Sequence, residues 1–286
     1  MAILFALIAL VGWGVGDIFV TIVSRKIGYI IGLLWWQVFS LLISLFYLPF
    51  AGTLSDWRMF ALAFGLNIFA TVGTLSYFKA LEIGNASLTG TIAGSFPLIT
   101  VPLSILLFQE KLNNIQLIGI VLIFIGLILG SLKEDGLKEI RSGKIFSDRG
   151  VLYCLITLVI WGIYWSVVRI PIESIGWFYT GFSGWFIFLL LPILGLIKKN
   201  PIKELSKKNV IGNVFLMSLL TVVGSYAFNL GLTFGYSSIV APIAGLSPVL
   251  FVIIANFVFK EALSRRQLVG IVISLAGIAL ISFRGT

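Results

Sequence analysis

Ten stretches of about 20 mostly apolar residues fill this chain, near 2–23, 30–50, 57–81, 85–108, 114–132, 150–170, 174–197, 208–234, 237–259 and 265–283. A helix of about 20 apolar residues crosses the hydrocarbon core of a bilayer. The pattern predicts an all-α integral membrane protein with ten transmembrane helices. Of its 286 residues 59% are hydrophobic and 11% charged, whereas an ordinary soluble chain is about 25% charged. The longest polar connection, KEDGLKEIRSGKIFSDR at 133–149, is too short for a soluble domain.

Several function classes drop out. The opening MAILFALIALVGW carries no Lys or Arg before its apolar run, so it reads as a retained first span rather than a signal peptide. One cysteine, Cys154, allows no internal disulfide, and histidine is absent. His-based triads and ordinary His-ligated metal sites are therefore excluded. Gly14-Val15-Gly16 lies inside an apolar run rather than after a strand, so it is no nucleotide loop. No cofactor is expected. The net charge of +9 sits in connections between spans, which is the pattern of cytoplasmic loops and not of a nucleic-acid surface.

The chain is written twice. Residues 84–131 align without a gap to 235–282, an offset of 151, with 18 identities in 48 positions. The matches include Ala93/Ala244, Gly94/Gly245, Pro97/Pro248, Glu110/Glu261, Gly119/Gly270 and Gly126/Gly277. GTLSYFKALEIG at 73–84 runs parallel to GSYAFNLGLTFG at 224–235. At offset 148, Trp13-Gly14 matches Trp161-Gly162, and Ile27-Gly28 matches Ile175-Gly176. Chance likeness of apolar helices does not hold Gly, Pro and Glu at one offset. The expected organisation is a five-helix repeat over 1–132, a connection at 133–149, and a second repeat over 150–286. Five is odd, so the second copy enters the membrane from the opposite side. An inverted 5+5 repeat is the plan of many secondary transporters, with the site near midplane where the halves meet.

The paired WG openings, the G-x8-A-G-x-x-P pattern at 84–97 and 235–248, and the E-x-L-x-x-x-Q-x-x-G run at 110–119 and 261–270 resemble the EamA-type branch of the drug/metabolite transporter superfamily. The resemblance covers nearly the whole chain. It implies ten helices in an inverted repeat and movement of small metabolites, and it names no substrate. The opening WGVGDIFVTIVSRKIG departs from the commoner WGSNF-like form.

Small-xxx-small pairs at Gly90/Gly94 and Ala241/Gly245 let helices approach closely. Pro97, Pro102, Pro242 and Pro248 bend helices four and nine, either for packing alone or to present backbone groups to a solute. Glu110 and Glu261, beside Lys111 and Lys260, read as loop-fixing acids at the water boundary with modest desolvation. Lys79 and Glu82 pair at i, i+3. Arg169, with Pro171 and Glu173, reads as the end of helix six.

Gln37, Asn67, Asn229 and Asn256 are polar at depth, where interhelical hydrogen bonds are the default use. Trp35, Trp36, Trp57, Trp177 and Trp185 lie in or near helix ends and read as interfacial anchors. Trp13 and Trp161, mid-span and paired by the repeat, read as cavity walls. The candidate substrate-binding residues are Trp13, Asp17, Gln37, Asn67, Tyr77 and Gly94 from the first half, and Trp161, Tyr164, Trp165, Tyr226, Asn229 and Gly245 from the second.

Asp17 is the only charge in 2–23. A mid-membrane acid is costly, so it should face the bundle interior. It is either a structural polar contact or a site for a proton or a cationic group, with Trp13 one turn away offering a ring face. Its repeat counterpart is Trp165. The expected function is a secondary active transporter of a small organic metabolite in the plasma membrane, driven by protons or another coupling ion or accepting amine-bearing solutes. An amphiphile flippase and a non-transporting scaffold are the alternatives. No acid/base pair is visible for an enzyme. A monomer is expected because the halves are fused. Odd-numbered connections and adjoining span ends hold 16 of the 20 Lys and Arg, which puts them in the cytoplasm and both termini outside.

Overall fold

A computed structural model describes residues 1–131, 149–259 and 264–282, without the side chains of 255–259. Most of the 133–149 connection, Lys260, Glu261 and the side chain of Asn256 lie outside the described residues. Those described are helical, without strands: α1 Ala2–Ile27, α2 Tyr29–Leu45, α3 Trp57–Ile83, α4 Ala86–Gly94, α5 Pro97–Phe108, α6 Asn114–Ser131, α7 Arg149–Val167, α8 Arg169–Phe182, α9 Leu190–Ile193, α10 Pro201–Leu205, α11 Val210–Phe234, α12 Ser237–Ala244, α13 Ser247–Phe259 and α14 Arg265–Ser282. A 3-10 stretch, Ser183–Leu189, joins α8 to α9. Nine described helices are long and apolar enough to cross a membrane when α4 with α5, α8 with α9, and α12 with α13 up to Ile254 are each taken as one. The shorter apolar helix α2 has 17 residues.

Local sequence sets the breaks. Asp56 and Asn85 accept hydrogen bonds from the first free amides of α3 and α4, the usual work of such residues at a helix start. Pro97 opens α5 and Pro248 is the second residue of α13. Proline fits a first helical turn because its missing N–H has no partner there anyway. Gly28 separates α1 from α2 at φ 91, ψ 151, and Gly176 interrupts α8 at φ 79, ψ 166. This backbone region is open essentially to glycine alone. The two glycines lie 148 residues apart, and the same offset carries Tyr29–Leu45 onto 177–193, ending where α9 ends.

Arg169 sits at a helix boundary as expected: α7 ends at Val167 and Arg169 opens α8, with Pro171 in its first turn, where proline is tolerated. A further break in the helical backbone falls at Gly176.

The broadest packing joins α1 to α11, α6 to α14, and α3 to α7. Glycines permit the closest approaches. A Cβ on Gly119 would lie 2.8 Å from the Gly277 carbonyl oxygen, and one on Gly126 2.8 Å from that of Gly270. An early residue of each helix thus meets a late residue of the other, so α6 and α14 run antiparallel. Odd-numbered connections meet one another: Arg25 donates to the carbonyls of Leu81 and Gly84, and Lys26 to that of Lys208. Even-numbered ones do likewise, as where Tyr179 donates to Gly52 O and Ser55 to Ser174 O.

Candidate functional site

A cavity lies among α1, α2, α3, the last third of α7, the end of α8 with the 3-10 stretch that follows it, α11, and the breaks between α4 and α5 and between α12 and α13. Ten of the twelve sequence-chosen residues line it: Trp13, Asp17, Gln37, Asn67, Tyr77, Gly94, Trp161, Tyr164, Trp165 and Asn229. Tyr226 stands behind the wall, donating to Ser44 Oγ at 2.9 Å and accepting from Trp185 Nε1 at 3.1 Å. Gly245 packs the floor; a Cβ there would lie 2.7 Å from the Gly94 carbonyl oxygen and 2.9 Å from Pro97.

Asp17 is the one charged side chain among the described lining residues. Helix α1 runs to Ile27, beyond the expected end at 23. Asp17 is then about 2.5 residues from the helix midpoint, or roughly 4 Å at helical rise. Its Oδ2 accepts a hydrogen bond from the Tyr77 hydroxyl at 2.8 Å. A carboxylate at this depth keeps its charge only if paired or hydrogen-bonded, and Tyr77 supplies one such bond.

The indoles form the walls. The Trp13 and Trp165 ring centroids are 5.3 Å apart, and Trp13 stacks on Phe228 at 5.3 Å. Trp161 faces Tyr77 at 5.0 Å. Trp13 fits because its position meets Gly224, where a Cβ would lie 2.7 Å from the ring; Trp161 meets Gly73 in the same way, at 3.0 Å. Trp36 and Trp185, expected as interfacial anchors, instead meet edge to face at 5.2 Å in the cavity wall. The expectation began helix two at residue 30 and ended it at 50, whereas α2 spans 29–45 and carries Trp36 near its centre. Sequence reasoning also passed over Thr71, Thr74, Thr221 and Ser225, which line the cavity. Small hydroxyls blend into any membrane helix by return bonds to the preceding turn, as Thr71 makes to Asn67 O at 2.8 Å.

The three deep amides differ in use. Asn67 is fully engaged: Nδ2 donates to Ala63 O and Thr180 O, and Oδ1 accepts from the Tyr164 hydroxyl at 3.0 Å. Asn229 Nδ2 donates to Trp177 O at 3.2 Å, while its Oδ1 is buried and accepts nothing from the described residues. Gln37 Oε1 is likewise buried without a partner among the described residues. Two glycines leave room for the amides: a Cβ on Gly181 in α8 would lie 3.2 Å from Asn229 Nδ2 and 2.7 Å from the Tyr226 ring, and one on Gly184 in the 3-10 stretch 2.7 Å from Asn67 Oδ1.

Glu110 corrects the expectation of modest desolvation. It is 4% exposed, accepts from the Ser237 and Ser238 backbone amides at 2.8 and 3.0 Å, and pairs with Arg169 at 3.0 Å. Arg169 also holds Glu173 at 2.7 Å. The acid at the end of α5 therefore caps α12, a helix-start position where negative charge is favoured. The Lys79–Glu82 pair forms as expected, at 3.2 Å.

A family model, that of the EamA-like transporter family, matches residues 1–132 and 148–283. A probable glucose uptake protein of Priestia megaterium is 25% identical over 282 residues, covering 92% of this chain and 87% of its own. An uncharacterized protein of Methanocaldococcus jannaschii is 35% identical over 140 residues, which are 46% of this chain and 98% of that protein. One crystal structure superposes with a TM-score of 0.74 at 16% identity, covering 98% of this chain and 96% of that one. The chain belongs to the EamA-like transporter family and is a multi-pass membrane transporter.

Proposed function

We propose that this protein is a secondary active transporter that moves a small organic solute across the plasma membrane by alternating access. Residues 1–132 rock against 150–286 about the mid-membrane cavity, and Asp17 carries the coupling proton or the solute's cationic group. The observation that carries the reading is the cavity itself. It is walled by both halves and holds one carboxylate in an aromatic surround.

Three further facts support it. Contacts between the halves are exchanged as an inverted repeat requires: Gly94 meets Gly245, Gly119 meets Gly277, and Gly126 meets Gly270. Each residue of such a pair finds the repeat-equivalent of its own neighbour, the mark of a two-fold relation. Because α6 and α14 are antiparallel, a two-fold between them is perpendicular to both helices, hence in the membrane plane. The M. jannaschii relative is about one repeat long, as expected if five helices were once a separate chain. The P. megaterium relative, named for glucose uptake, supports a small organic solute as cargo.

Purified protein in sealed liposomes tests the reading. Solute flux dependent on an imposed proton or cation gradient is the expected result. Lipid scrambling without solute flux would replace it with a flippase, and neither activity with a scaffold.

A further inference from the structure

Two connections matched by the repeat differ in charge. Residues 194–209, between α9 and α11, hold Lys198, Lys199, Lys203, Lys207 and Lys208, all exposed. The matching connection of the first half, 46–56, holds no lysine or arginine. One acid lies among the five lysines, Glu204, and it pairs with Lys207 at 2.6 Å. Orienting the chain in a membrane accounts for a bias of lysines to one side. It does not account for what lies beside these five.

An apolar groove adjoins them. The first half contributes Leu34 and Val38 of α2, and the second half contributes Phe188, Leu189 and Pro192. Asn200, Pro201 and Ile202, at the start of α10, complete the lining with Trp35. Trp35 Nε1 donates to Pro201 O at 3.0 Å and holds this connection against α2. Leu189 and Ile202 are 52% and 70% exposed, so the groove lies on the outer surface of the bundle, at the seam between the halves. Lys198 and Lys199 immediately precede the lining segment 200–202, and Lys203 immediately follows it.

We infer that the groove and these three lysines form a binding site for an anionic phospholipid, with an acyl chain along α2 and the phosphate at the lysines. An apolar trough in a spanning surface with a cationic rim in the adjoining connection matches an amphiphile with a negative head. Lipid tails are as apolar as leucine, so seating a chain in the groove gains little over the bilayer. The groove fixes where the lipid sits, and the lysines select its headgroup. Each lysine at a membrane surface favours an anionic lipid about fivefold. A zwitterionic headgroup brings its own cation and loses that preference. On the orientation that the lysines and arginines predict, the site faces the cytoplasmic leaflet, which carries the anionic lipid. The site is separate from the cavity and does not depend on the transport reading.

Native mass spectrometry of the full chain tests it, with detergent micelles holding equal amounts of palmitoyl-oleoyl phosphatidylglycerol and phosphatidylcholine. The chain should retain phosphatidylglycerol in preference by about tenfold or more, the effect of two or three lysines. In the triple variant Lys198→Gln, Lys199→Gln, Lys203→Gln the preference should fall to about one. Those side chains are exposed, so its thermal unfolding should match wild type. Arg58→Gln, beside the matching connection of the first half, should leave the preference intact. Val38→Trp fills the groove and should lower retention of both lipids. Excess sn-glycerol 3-phosphate should not displace the lipid. Equal retention of the two lipids by wild type, which needs no variant to fold, overturns the inference. So does a preference unchanged in the triple variant, or lost in Arg58→Gln. Unchanged retention in folded Val38→Trp takes the lipid out of the groove, and displacement by glycerol 3-phosphate makes the lysines a site for free phosphate; either result also overturns it.

Discussion

The Asp17 carboxylate and the Tyr77 hydroxyl, 2.8 Å apart, join α1 to α3 across the cavity edge. Their repeat counterparts are Trp165 and Phe228, whose rings lie 4.3 Å apart. One architectural contact is therefore polar and protonatable in the first half and apolar in the second. A substitution at Asp17 alters chemistry at a contact that the fold can hold with either kind of side chain. Asp17→Asn keeps an acceptor for Tyr77 and should insert and unfold like wild type, but its flux should no longer respond to an imposed pH gradient. A wild-type pH profile in that variant, measured in liposomes, would identify the carboxylate as a structural polar contact only.

Gly28 and Gly176 make matched demands on the backbone. Side chains are strongly disfavoured at φ 91 and φ 79 with extended ψ. Gly28→Ala and Gly176→Ala should each cost about 1–3 kcal/mol. No neighbour lies within 4 Å of a Cβ at either site, so the loss is conformational and not a clash. Thermal unfolding in detergent measures both; an unchanged midpoint in either variant contradicts the argument.

Glu110 holds three partners that belong to the second half. Glu110→Ala leaves Arg169 and two helix-start amides without their acceptor. The loss should be about 3 kcal/mol, the lower end for removing one partner of a buried pair, because Arg169 keeps 19% side-chain exposure and Glu173 beside it. Glu110→Gln retains an oxygen for the α12 amides and should lose less. Equal loss in the two variants would assign the whole effect to the Arg169 charge pair.

The lysines and arginines predict that the chain's ends lie on the less basic side. A C-terminal reporter active only in the cytoplasm should stay silent, and one active only outside should respond. A strong cytoplasmic signal reverses the orientation without touching the fold.

Sequence alone determined the helical membrane class, because hydrocarbon thickness fixes the length of each apolar run. It also carried the 151-residue offset of glycines, prolines and glutamates, residues that close approach, chain breaks and, at Glu110, capping hold in place. It singled out Asp17, since an acid amid apolar residues needs a partner wherever it lands. The polar and indole part of the cavity wall was legible for the same reason: deep polar residues and mid-span Trp13 and Trp161 have few other uses.

Tertiary structure decided the rest. Trp36 and Trp185 have the sequence positions of anchors, but α2 places Trp36 at mid-helix, edge to face with Trp185. Asn67 and Asn229 are the same residue type at similar depth, yet one is saturated by α3, α7, α8 and the Ser183 turn while the oxygen of the other has no partner among the described residues. That difference depends on which carbonyls and hydroxyls neighbouring helices bring within 3.2 Å, and spacing along one helix does not encode it. Glu110 became a buried cap only because α12, 127 residues away, begins against it. Burial and hydrogen-bond supply are properties of the assembled bundle, because the partners that set them lie on other helices.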